Sequence, residues 1–194
     1  MDYIDTGLIH DNKTFENIVY TEKAIRGREF QSCIFKKCDL SNMDLSYNKF
    51  LDCIFEDCNL SMIALDGSTL NDVVFVNCKM LGVIFSKSLS FLFSVKFDGC
   101  ILDYSSFMGR KMLKTSFLKS SLKEVSFSQA NLAGSSFDGS NLMGAVFNRT
   151  DLSAVNFVNA YNYNIEPELN TVKNAIFSSQ GLAGLLSCYQ IKIV

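Results

Sequence analysis

The chain has 194 residues, 48% of them apolar and 20% charged, a balance that fits one folded domain rather than a disordered polymer. Its formal net charge of −2 argues against a basic nucleic-acid-binding surface, and no apolar run reaches the roughly 20 residues of a membrane-spanning helix. Composition departs from ordinary usage in its 17 Phe, single Pro and absence of Trp.

Residues 1–14 read as a lead-in. Asp2 and Asp5, with no basic segment followed by an apolar one, do not make an export signal, and His10 precedes the regular pattern. A reducing cytoplasm is therefore expected, with the seven cysteines as thiols. From Phe15 a bulky residue returns every five positions: Tyr20, Ile25, Phe30, Phe35, Leu40 and onward to Met80 and Phe85. The count slips by two within "SKSLS" (86–90), where a widened corner is expected, and resumes at Leu92 and Phe97. It then runs unbroken to Phe157. Asn162 and Pro167 fall where bulky centres are due, so 162–172 is expected to be a looser coil, yet Phe177 lies 20 after Phe157. In 178–194, Ser178 or Ser179 can cap a short helix carrying Leu182, Leu185 and Leu186. Tyr189, Ile191 and Ile193 then alternate with polar residues as in a strand.

A period of five belongs to neither a helix nor a strand. Two positions before each centre the residue is small, as at Ala130, Ser135, Ser140 and Ala145, and the rest of the unit is mostly Asn, Asp, Ser or Gly. Every fourth unit repeats in kind: Phe15, Phe35, Phe55, Phe75, Phe97, Phe117, Phe137, Phe157 and Phe177 form one column, allowing for the slip. The arrangement that satisfies both periods is a coil with four flat sides, each placing one bulky and one small side chain inward before a tight turn. Coils then stack at about the 4.8 Å strand spacing with like residues in ladders. Pro is scarce because most N–H groups must donate along the axis.

From about residue 15 to 177 this pattern resembles the pentapeptide-repeat family. The resemblance implies an all-β fold, a right-handed quadrilateral parallel β-helix of four five-residue units per coil, here followed by a short C-terminal helix and strand. It also implies a bacterial source.

Six cysteines, Cys33, Cys38, Cys53, Cys58, Cys78 and Cys100, fall in the small inward position and stack in ladders, where they read as core filler. Their spacing is not that of a zinc knuckle. No metal, cofactor or catalytic residue is assigned: a single histidine has no placed partners, carboxylates fall at outward positions, and motifs such as GxSxG, HExxH or the P-loop are absent. The glycines of "GSSFDGSNLMG" (134–144) sit at repeat corners, and a filled bore leaves an enzyme no pocket.

Information about function is expected on the outside. Lys36 and Lys37 fall one coil from Glu56 and Asp57, and Ile34, Ile54 and Val74 fall on one outward row. That row is either a partner surface or a β-branched ladder that stabilises the sheet. Leu182, Leu185, Leu186, Tyr189, Ile191 and Ile193 are either a cap on the open end or a homodimer contact, the latter implied by the quinolone-resistance (Qnr-type) members. The expected function is a non-enzymatic scaffold for an unidentified protein partner, with no direct nucleic-acid or membrane binding. The alternative implied by the resemblance is a DNA mimic that binds DNA gyrase or another type II topoisomerase and protects it from quinolones. Against it, Lys96, Arg110, Lys111, Lys114, Lys119, Lys123 and Arg149 offset the acidic residues that a mimic needs.

Overall fold

In the computed structural model of the chain, which describes residues 7–19, 24–189 and 191–192, the backbone turns a corner every fifth residue and closes after four corners. Tyr20 and Ile193 lie outside the described residues. Corner residues occupy the left-handed region, from φ 46° at Lys119 to 71° at Gly134. An Asn or Asp three positions earlier helps to set many of these corners. Asp39 Oδ1 accepts from the Ser41 N–H at 3.0 Å, and Asp151 Oδ1 accepts from the Ser153 N–H at 3.0 Å. The polar part of the five-residue unit is thus turn chemistry.

Between corners lie short strands: β1 (Ile9–Asp11), β2 (Thr14–Glu16), β3 (Glu29–Gln31), β4 (Ile34–Lys36), β5 (Lys49–Leu51), β6 (Ile54–Glu56), β7 (Thr69–Asn71), β8 (Val73–Val76), β9 (Val95–Asp98) and β10 (Phe117–Leu118). They form two parallel sheets, β1-β3-β5-β7 and β10-β9-β8-β6-β4-β2. Register advances by 20, Phe15 to Phe35 to Phe55 to Phe75, and by 22 across the slip, Phe75 to Phe97. The remaining sides are held by isolated parallel bridges such as Asp39 to Asn59 and Asp44 to Ala64. The right-handed quadrilateral β-helix is confirmed. Its ladder includes β1, within the stretch assigned above to a lead-in, and His10 occupies a bulky-centre position, stacked 4.7 Å from Phe30.

All nine phenylalanines of the long column are piled in line. Successive ring centroids, from Phe15 to Phe177, are 4.5–5.2 Å apart, with rings within 16° of parallel. A second stack, Phe85, Phe107, Phe127 and Phe147, meets the first edge-on, as between Phe107 and Phe117 at 5.7 Å and 82°. Offset stacks and edge contacts of this kind contribute about 0.5–1.5 kcal/mol per pair beyond area burial. The bore is filled.

The small inward residues do more than fill space. Cys38, Cys58 and Cys78 each direct Sγ to the carbonyl of the bulky centre one coil below, at 3.3 Å. Ser135, Ser140 and Thr150 donate in the same way at 2.9–3.0 Å. Ser, Thr and Cys therefore share one slot because each carries a compact donor.

Two expectations are corrected at the slip. Leu92 is not an inward centre: it is exposed at φ 57°, and Phe93 packs against the core instead. Arg110, counted above among outward charges, is buried in the small-residue slot with 3% exposure. The two extra residues widen the corner at Phe85–Lys87, a short 3-10 turn, and the arginine side chain fills the added space.

At the other end Tyr163 and Ile165 are buried while Asn162 and Pro167 lie outside the core. Ser178 caps a helix as expected, its Oγ accepting from the Gly181 N–H at 3.1 Å, but the helix (Ser179–Leu185) is 3-10. The expected C-terminal strand is not formed among the described residues. Ser187–Tyr189 is a further 3-10 turn in which the Tyr189 N–H donates to the Leu186 carbonyl, so this backbone is committed locally. Among the described residues no helix is long and apolar enough to cross a membrane.

Candidate interaction surface

The outward positions of the β2-to-β10 sheet form continuous rows. Ile34, Ile54 and Val74 are adjacent in register, bounded by Thr14 below and Lys96 above. The structure thus brings the three expected residues together, with Ile54 exposed and the two others half-buried. Beside them run Glu16, Lys36, Glu56, Val76 and Asp98. Lys36 Nζ lies 3.3 Å from Glu56 Oε1, an exposed pair that contributes well under about 1 kcal/mol. An apolar stripe flanked by a row of mixed charge is the result.

A second apolar feature was not anticipated. The widened corner projects Leu89, Phe91 and Leu92, and Phe91, at 76% exposure, is more exposed than any other large apolar side chain described. The corner is held from inside by Arg110. Its Nε donates to the Phe85 carbonyl at 3.0 Å, one terminal nitrogen donates to Ser90 Oγ at 2.9 Å, and the other donates to the Ser88 carbonyl. Burial pushes the arginine pKa below its ordinary value, yet the guanidinium keeps its charge. The sequence signal was present: an arginine in a slot otherwise filled by small residues, one coil above the slip.

The C-terminal candidates divide. Leu185 packs against the core, whereas Leu182, Leu186 and Ile191 face outward. Tyr189 is exposed, but its hydroxyl donates to Glu168 Oε1 at 2.7 Å.

The buried thiols of Cys33 and Cys53 lack the setting of reactive groups. Burial raises the pKa of Cys33 and pushes that of Cys53 up to about 12, so at neutral pH both are protonated. Among the described residues no cluster of His, Cys, Asp and Glu has the geometry of a metal site. His10 is sandwiched by aromatics, with Phe15 edge-on at 5.6 Å, and Lys13 Nζ lies 3.3 Å from its Nδ1.

Comparison with known proteins matches residues 28–107 and 90–157 to the family described as pentapeptide repeat region. Two solved structures of QnrB1, described as a plasmid-mediated fluoroquinolone resistance protein, are similar in fold. One is 17% identical, covering 96% of this chain and 91% of that chain at a TM-score of 0.65. The other is 15% identical, covering 96% and 100% at 0.64. HetL, a pentapeptide repeat protein involved in heterocyst differentiation regulation in the cyanobacterium Nostoc, is 16% identical over 87% of each chain at 0.42. No curated protein matches the chain significantly.

Proposed function

The chain belongs to the pentapeptide-repeat family, and from that premise we propose that it is a non-enzymatic scaffold that binds a protein partner through its outer faces. The observation that carries this reading is the in-register row Ile34, Ile54 and Val74 on a rigid sheet whose interior is already full. Contiguous outward apolar side chains rimmed by charge suit recognition of another protein. The Phe91 projection adds an anchor of the kind that fills a pocket on a partner. Seven free cysteines suit a reducing compartment, so the cytoplasm is the proposed location. Leu182, Leu186 and Ile191, with Tyr189 beside them, are the proposed contacts of a homodimer.

The test is affinity capture from the source organism with the wild-type chain and with Ile54→Asp. The same partner must be retained by the first and lost by the second, with circular dichroism and melting unchanged. A partner retained equally by both removes the stripe from the interface.

A second reading follows from the shape shared with the fluoroquinolone-resistance protein: a rod that imitates DNA on a type II topoisomerase. The outer rows favour the first reading, since Lys36 and Val76 interrupt Glu16, Glu56 and Asp98 where a mimic needs an unbroken acidic row. A gyrase supercoiling assay with and without a fluoroquinolone separates the two. The scaffold reading expects no effect at micromolar protein.

A further inference from the structure

We propose that the cavity at the C-terminal end of the coil is a binding site for a small uncharged saccharide. The cavity measures about 480 Å³ and lies between the coil segment 158–163 and the 3-10 turn that caps it. That volume falls in the range of small-molecule sites, roughly 300–1,000 Å³. It arises where the repeat fails, because Asn162 replaces a bulky centre and Tyr163 turns inward instead. The capping turn approaches Tyr163 closely through Gly181 and Gly184, at which any side chain would collide with that tyrosine.

The wall mixes polar and apolar groups and carries no charged residue. Tyr163 is 6% exposed, and its hydroxyl, lying against Gly181 in the wall, is buried with no hydrogen-bond partner among the described residues. Such an orphan group is unfavourable unless something accepts from it or donates to it. Two amides among the lining residues are already oriented. Asn159 Nδ2 donates to Asp138 Oδ1 at 2.6 Å, and Asn162 Nδ2 donates to Asn141 Oδ1 at 3.0 Å. Both residues line the cavity, and an amide that donates through Nδ2 still has its carbonyl oxygen as an acceptor. Gln180 supplies a further amide, and the half-exposed ring of Tyr161 supplies an apolar face.

This set selects a chemistry. A charged ligand would enter a partly buried site without a counter-charge, which is unfavourable. A purely apolar one would leave the tyrosine hydroxyl and the amides unsatisfied. Hydroxyl groups both donate to the Asn oxygens and accept from Tyr163, and the C–H face of a sugar ring can lie on Tyr161. A mono- or disaccharide ring meets every element of the wall. The site is independent of the scaffold reading and shares none of the stripe residues.

The full chain can be titrated with glucose, galactose, N-acetylglucosamine and maltose, with adenine and inorganic phosphate as controls, by calorimetry and by tyrosine emission. With seven Tyr and no Trp, emission reports on the tyrosines alone. Saturable binding of at least one saccharide with a Kd of about 1 mM or tighter is expected. Tyr163→Phe should weaken it about tenfold. Asn162→Gly should do likewise, and it preserves the backbone because Asn162 already sits at φ 58°. Absence of saturable binding to every saccharide up to about 10 mM overturns the proposal. So does binding unchanged in both variants, or a preference for adenine or phosphate.

Discussion

The guanidinium of Arg110 lies 5.0 Å from the centroid of the Phe93 ring, joining the only buried arginine among the described residues to the side chain that re-enters the core after the slip. Together with its bonds to the Phe85 and Ser88 carbonyls and to Ser90, this contact makes one residue responsible for the geometry of the widened corner. Arg110→Ala takes the arginine donor from the Ser88 carbonyl and opens a cavity, while the Phe85 carbonyl keeps the N–H and hydroxyl of Ser88. A loss of at least about 3 kcal/mol in urea unfolding is expected. Arg110→Lys should recover little of it, since an ammonium cannot reach three acceptors in a plane while lying over a ring. A loss below about 1 kcal/mol for the alanine variant would show that the corner supports itself.

Phe91 is expected to behave in the opposite way. With three-quarters of its surface in water, it contributes little to the fold, so Phe91→Ser should change unfolding free energy by no more than about 0.5 kcal/mol. The same substitution should weaken capture of a partner that depends on the projecting corner. A clear loss of stability would place Phe91 in the core and remove it from the surface.

The fold was legible because its two periods, five and twenty, are enforced at most coils by a narrow bore that admits few exceptions. Phe15 and Phe177 mark the ends of one stack that the spacing alone identified. The shared role of Cys58 and Ser140 was legible but missed, since both stand in the slot that points a donor at a carbonyl one coil below. His10 was missed because a ring that stacks in place of Phe is not counted by hydrophobicity. Leu92 was misassigned because a two-residue insertion leaves two neighbouring apolar residues, Leu92 and Phe93, equally in phase, and only the backbone shows which turns inward. The C-terminal segment defied pattern reading because no repeat constrains it. Alternation of Tyr189 and Ile191 carries no weight once 3-10 turns use the backbone.

Corner packing gives a prediction with an internal control. Gly67 and Gly109 have the same left-handed backbone, φ 64° and 68°. A Cβ on Gly109 would meet nothing within 4 Å, whereas one on Gly67 would fall 2.7 Å from Tyr47 Cδ1. Gly109→Ala should therefore cost only the backbone term, about 1–2 kcal/mol. Gly67→Ala should cost more, by about 1 kcal/mol, because the Tyr47 ring must move. In a Tyr47→Ala background the two alanine substitutions should become equal, which a double-mutant cycle measures directly. Equal costs in the wild-type background would show that the ring swings aside freely.

Acid should act through the corners as well. Asp44 carries a pKa well below the usual carboxylate range, first because the Arg26 guanidinium bonds to its Oδ2, with Nε at 2.9 Å, second through the Ser46 side chain, and further because Oδ1 accepts from the Ser46 N–H at 2.9 Å. Its folded pKa lies beneath the unfolded value of about 3.9, so its contribution is complete at neutral pH and declines as pH falls below about 4. In Asp44→Asn the amide oxygen can still accept from Ser46, while the pairing with Arg26 is lost. The stability difference between wild type and variant should be largest at pH 7 and shrink steadily under acid, read as urea midpoints across the pH range. Because Arg26 is largely exposed, about 1 M salt should reduce the difference at pH 7 as well. A difference that neither pH nor salt alters would mean that Asp44 holds its corner by shape alone.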